Sequence, residues 1–231
     1  MRHTRILSAF LCTILLLAGS SSAFALTPSQ LQSLKANIAA STDTVPAGVA
    51  DCGGFVGLQV NAVPNTADAN YCLATIYNQI SSPAFYVYRT SIPVAEVFDA
   101  IVWANFTPSD AVPTDTALNN AIFQSRQIAC QTKQMNVQTI LMGQSTLNGA
   151  KPNIRSGLQD ALTQIPSGAN GAPRAAGWVT VRDSVLARQA RRIEKLYADT
   201  SGGNGSAAAS AATLTFEGTI TGSDIEAARN S

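Results

Sequence analysis

The residues with the most chemical potential lie in the stretch "RDSVLARQARRIEK", which carries Arg182, Arg188, Arg191, Arg192 and Lys195. Guanidinium groups grip carboxylates and phosphates through a planar fork. This stretch is therefore the candidate surface for an acidic partner or a phosphate backbone, DNA included. The competing reading is a solvated helix face, with Arg191 and Arg192 paired locally to Glu194 and Asp199. A second candidate is "TLTFEGTI" near the end of the chain, with Phe216 and Glu217 on a strand suited to joining the sheet edge of another protein.

Cys52, Cys72 and Cys130 follow the first 25 residues, within which Cys12 falls. In an oxidising compartment Cys52 and Cys72 are the expected pair, and closing about 20 residues would stabilise by roughly 3 kcal/mol. In a reducing compartment all three are expected to be free thiols. Three cysteines make no tetrahedral Cys-only zinc site.

The one histidine, His3, lies in the first 25 residues. Beyond them, Ser-His-Asp and Cys-His catalysis and the H-E-x-x-H metalloprotease are excluded. Neither G-x-x-x-x-G-K-[ST] nor a post-strand G-x-G-x-x-G occurs, so no nucleotide-binding loop is indicated. "GQSTL" around Ser145 lacks the second glycine of a nucleophile elbow. Asp99, Asp110, Asp115 and Asp160 are scattered over cap and turn positions rather than paired for glycoside hydrolysis. No catalytic residue, cofactor, metal or small-molecule substrate is indicated, and the chain reads as non-enzymatic.

These residues must be positioned by a chain of 231 residues with 13% charged residues, a globular composition. Residues 1–25 have Arg2 and Arg5 ahead of an apolar run, then Ala23 and Ala25 in an A-x-A arrangement, the pattern of a secretory signal peptide. An over-extended start is the alternative. Without Arg2 and Arg5, 13 basic residues face 14 acidic ones, a balance that demands no nucleic acid. No later run approaches a membrane span.

The pattern predicts a mainly α fold with a little β. Residues 26–200 form a helical core domain, 201–212 a Gly/Ser/Ala linker, and 213–231 a C-terminal strand–helix arm. Thr27, Pro28 and Gln30 open a first helix with a capping box, with Leu31, Leu34 and Ile38 inward. Residues 42–67 read as a long loop, and Asp68 caps a short helix after it. "SPAFYVYRTSIP" is the most β-like run, with no evident partner. Pro93 opens a helix with Val94, Val97, Phe98 and Ile101 inward.

Thr114 caps a long helix that turns Leu118, Ile122, Ser125, Ala129 and Lys133 to one side and weakens before Asn136. "NIRSGLQDALTQI" is another helix. One continuous helix is expected over 174–200, with Trp178, Val181, Val185, Ile193 and Leu196 as its buried stripe and the cations on its other faces. Ser223 and Glu226 form a capping box for the last helix.

The segments "LTPSQLQSLKANI", "SPAFYVYRTSIPVAEV", "KPNIRSGLQDAL", "RRIEKLYA" and "LTFEGTITGSDIEAAR" occur in this order. Together they resemble a family of small proteins encoded in the structural modules of tailed bacteriophages and prophages. The resemblance covers about residues 26–230 and is most specific in the ending. It implies a virion protein of the head–tail junction or tail, with further copies of itself in a homo-oligomer and other virion proteins as partners. It also implies assembly in the host cytoplasm. The family's members begin close to Leu26, so the leader is a departure. If the leader is real, the expectation is instead a periplasmic or secreted binding protein with a Cys52–Cys72 disulfide. The arm suits two arrangements, reaching to a neighbour or folding back beside "FYVYRT".

Overall fold

A computed structural model describes residues 26–114, 117–199, 203 and 210–231. The leader, Asp115 and most of the linker lie outside the described residues. The fold is mainly helical with short paired strands, as expected.

Helix α1 (Pro28–Ala40) begins as its sequence dictates. The Gln30 amide donates to the Thr27 hydroxyl at 3.3 Å and the Thr27 amide to the Gln30 side chain at 2.9 Å. This satisfies two donors that a helix start otherwise leaves unpaired. Leu34 and Ile38 are buried, with Leu31 packed beside them. Helix α2 (Ala67–Asn78) starts two residues earlier than predicted, because Thr66 rather than Asp68 is the cap. The Thr66 hydroxyl accepts from the Ala69 amide, while Asp68 sits in the first turn. The loop between α1 and α2 is tied down by a Cys52–Cys72 disulfide, with Cα atoms 4.9 Å apart.

Helix α8 (Gly222–Asn230) packs on α1 and α2, and the three share one core with Val60, Tyr77, Ile193 and Phe216. Its cap is Thr221 with Asp224, two residues before the predicted Ser223 and Glu226 pair. Both pairs satisfy the same spacing rule. The upstream pair prevails because Ile225 and Ala228 must face the core. Arg229 then fastens α8 to the loop, donating to the Pro64 carbonyl and the Asn70 side chain. Asn78 clasps the approaching strand by exchanging two hydrogen bonds with the Ile220 backbone, at 2.8 and 2.9 Å.

A second core is built by α3 (Val94–Ala100), α4 (Ala117–Leu141), α5 (Pro152–Leu162) and α6 (Trp178–Thr180). In α3, Val97 is buried and Val94 packs on the core. Phe98, predicted inward, instead lies on the surface, stacked on Trp103 at 5.3 Å. The predicted break in α4 before Asn136 is absent, since Val137 and Leu141 are buried and hold the helix to its end.

Between the two cores, β1 (Tyr86–Tyr88) pairs antiparallel with β4 (Ala187–Gln189), Val87 opposite Arg188. A shorter pair joins β2 (Ile92–Pro93) to β3 (Thr146–Leu147). The helix predicted over 174–200 is therefore corrected. It is replaced by α6, a π-turn at Val181–Val185, the strand β4 and the short helix α7 (Arg192–Leu196). The physical reason lies outside the segment, because β1 would otherwise bury unpaired backbone groups. Val179, Thr180, Val181 and Val185 are β-branched and resist a helix only weakly, so the tertiary demand wins. Its start is set by Gly177, at φ +84°, where a Cβ would lie 2.3 Å from the Ala100 carbonyl oxygen. Four of the five stripe residues are buried nonetheless, but Trp178, Val181 and Val185 belong to the second core and Ile193 to the first, where the half-buried Leu196 packs beside it.

The C-terminal segment takes the second of its two expected arrangements. It runs back beside β1, where the Tyr88 amide donates to Ala212 and the Ala212 amide to Tyr86, each at 2.9 Å. "TLTFEGTI" is extended, yet it forms only an isolated bridge between Ala198 and Leu214 rather than a strand.

Candidate functional site

The cationic residues singled out by sequence converge where β4, α7 and the C-terminal segment meet. Their centre is an acid, Glu194, whose side chain is fully buried. Arg188 grips it with two hydrogen bonds of 2.7 Å and reaches Glu217 at 2.9 Å with the same guanidinium. The Arg191 and Gly218 amides donate to Glu194 at 2.9 and 3.0 Å. Glu217 also accepts from the Thr90 amide at 3.2 Å and from the Thr90 hydroxyl.

Burial pushes the Glu194 carboxyl up. The Arg188 bonds and the two backbone amides outweigh it and hold the group below the usual carboxylate range. Arg188 is raised, chiefly by its bond to Glu194.

The remaining cations are also engaged. Arg182 pairs with Asp183, and Arg192 with Asp43 at 3.5 Å. Lys195 stands 5.5 Å over the Phe85 ring. Phe216 is buried edge-on against Tyr197, with ring centroids 5.7 Å apart. The structure thus turns the predicted partner surface inward. Arg188, Arg191 and Glu217 clamp the C-terminal segment, Phe216 belongs to the core, and each of the five cations singled out by sequence has a partner within the chain.

Two clefts flank this cluster. One, of about 230 Å³, is lined by Asn37, Asp43, Tyr77, Arg192 and Lys195. Both charge signs meet there, and the Tyr77 hydroxyl donates to Asn37 at 2.7 Å. Burial pushes the Tyr77 phenol up to about 12, so it is no base at neutral pH. The other, of about 600 Å³, has Leu214, Phe216 and Glu217 on one wall. In the larger cleft the Thr90 hydroxyl donates to Glu217, a carboxylate that Arg188 also holds.

Ser145 is exposed, and its carbonyl accepts from the Val94 amide. Asp110 and Asp160 accept from Arg126 and Lys133, far from any common cleft. Among the described residues no group of three or more His, Cys, Asp or Glu could hold a metal ion. No described helix is long and apolar enough to cross a membrane.

Among the described residues, a further feature is the outer side of α4. Sequence reasoning ran Leu118, Ile122, Ser125, Ala129 and Lys133 along one side of the helix as its apolar face, and the structure leaves the first four exposed. The buried residues are Phe123, Cys130, Val137 and Leu141, the first three spaced by seven. Leu118, Ile128, Met135 and Met142 are 71%, 63%, 63% and 73% exposed. Ser125, Thr132 and Thr139 lie between them, exposed as well. The error is instructive, since α4 is apolar on two opposite sides and periodicity alone does not say which meets the core. Arg126 and Lys133 are the only charged residues in Ala117–Leu141, and both are neutralised within the chain, Lys133 by Asp160 at 3.0 Å. The outer side therefore carries no charge.

Comparison with protein-family models, characterised proteins and solved structures finds no match.

Proposed function

We propose that this protein is a non-enzymatic structural subunit of a tailed phage or prophage particle, acting through contacts between protein subunits at the head–tail junction or in the tail. The observation that carries the contact role is the outer side of α4, a long, uncharged helix face with large apolar side chains exposed. Scattered surface apolar residues need no explanation, whereas a continuous row on one helix marks a protein contact. The resemblance of the ordered segments supplies the phage setting. The clamp around Glu194 supports a rigid subunit, since it fixes the segment that leads into α8 to the core.

One observation favours a second reading, an exported binding protein. The Cys52–Cys72 disulfide suits an oxidising compartment. Mass spectrometry of purified particles, periplasm and cytosol from induced cultures separates the two. The particle reading expects tryptic peptides in particles, starting near Leu26. Periplasmic chain cut after Ala25 and absent from particles would overturn it in favour of export.

A further inference from the structure

The outer row of α4 points to a specific partner, and we infer that it is a second copy of this chain, packed antiparallel through α4 about a two-fold axis at Cys130. The inference rests on the subunit reading above and names the partner of that same surface.

The first argument is position. Phe123, Cys130 and Val137 recur every seven residues and are buried, and Cys130 and Val137 join the helix to its own core. At 3.6 residues per turn, the exposed row that begins at Leu118 and repeats at alternating intervals of three and four falls on the opposite side. That alternation is the seam of a two-helix coiled coil. Over 25 residues it runs about 37 Å.

The second argument is charge. A partner of opposite charge has nothing to recognise, because Arg126 and Lys133 are both consumed by acids of the same chain. The flanking positions Gln124, Gln131 and Gln138 are uncharged too. Coiled coils that choose a different chain use charges at such flanks. Two identical uncharged faces approach without repulsion.

The third argument is shape. An antiparallel two-fold at Cys130 sets Ser125 of one copy opposite Met135 of the other, and Ile128 opposite Thr132. In these central layers each large side chain meets a small one, as interdigitating layers require. The Thr132 hydroxyl already donates to the Ile128 carbonyl at 2.9 Å, so burying it strands no donor. Leu118 and Met142 close the two ends against each other. A parallel pairing would stack Met135 on Met135 and Ser125 on Ser125, leaving alternate layers crowded and empty. Every contact here occurs twice by symmetry, which closes the assembly at two copies.

The test uses the full chain in sedimentation equilibrium across a range of concentrations and salt. Wild type is expected to reach twice the monomer mass, with little dependence on ionic strength. The Ile128→Glu, Met135→Glu variant alters only exposed positions, and its circular dichroism should match wild type. Burying four carboxylates in the dimer seam should raise its Kd at least about tenfold.

Register is read by oxidative cross-linking. Ser125→Cys mixed with Met135→Cys should give a covalent dimer, and Ser125→Cys alone should not. A wild type that stays monomeric overturns the inference, even where the chain is found in particles. So does a dimer indifferent to the two glutamates, or one cross-linked by Ser125→Cys alone. A dimer with the stated register stands even where the chain is absent from particles, and then only the phage setting falls.

Discussion

Replacing Glu194 by Gln tests whether the cluster of predicted partner-binding cations is an internal clamp. The side chain is fully buried and accepts from Arg188 twice, from the Arg191 amide and from the Gly218 amide. Glutamine keeps the shape but carries one acceptor oxygen and turns an amide N–H toward Arg188. Breaking a buried ion pair by removing one partner costs about 3–5 kcal/mol. Arg188 is 27% exposed and retains Glu217, so the lower end applies, about 3 kcal/mol. Glu217→Gln, at a side chain 28% exposed, should cost only about 1 kcal/mol.

The assay is urea denaturation of the full chain, repeated from neutral to acid pH. Because the folded Glu194 carboxyl titrates below its unfolded value of about 4.3, its contribution is complete above that value. It is lost as pH falls through the folded one, as linkage requires. The wild-type minus Glu194→Gln difference should therefore shrink on acidification. A Glu194→Gln protein within about 0.5 kcal/mol of wild type at neutral pH would refute the clamp, because surface substitutions fall in that range.

Three further outcomes follow from the same structure. Gly177→Ala should lose about 1–3 kcal/mol from its left-handed backbone alone, and more from the approach to the Ala100 carbonyl, as thermal denaturation would report. Cys72→Ser should cost roughly 3 kcal/mol by opening the loop across a 20-residue separation, and alkylation of the denatured, unreduced chain beyond residue 25 should rise from one thiol in wild type, Cys130, to two, Cys52 and Cys130. In a spectrophotometric titration, the Tyr77 phenol should ionise late, at about 12. Stability should fall as pH rises from about 10 through that value, and Tyr77→Phe should reduce this alkaline loss.

Elements governed by local rules were legible in the sequence. The α1 capping box, the loop after it and the Cys52–Cys72 pairing each depend on residues within about one loop's reach. Arg188 was not legible. Its neighbours read as helix, and only the need of β1 for a partner about 100 residues away in the chain makes it a strand residue facing Glu194. Phe216 and Glu217 failed as a docking strand for the same reason, since their partners Tyr197 and Thr90 are distant in sequence. In α4 the helix was evident but its orientation was not. Two apolar sides compete, and only the packing of α5 against the helix decides that Phe123, Cys130 and Val137 go inward.

The central claim is that this chain works through the outer side of α4 in a particle. The measurement that meets it most directly is particle yield from a prophage carrying Ile128→Glu and Met135→Glu, with intracellular levels of the protein held equal. The account predicts a folded, soluble variant and a loss of complete particles. Normal particle numbers, with the variant incorporated as wild type, would contradict it.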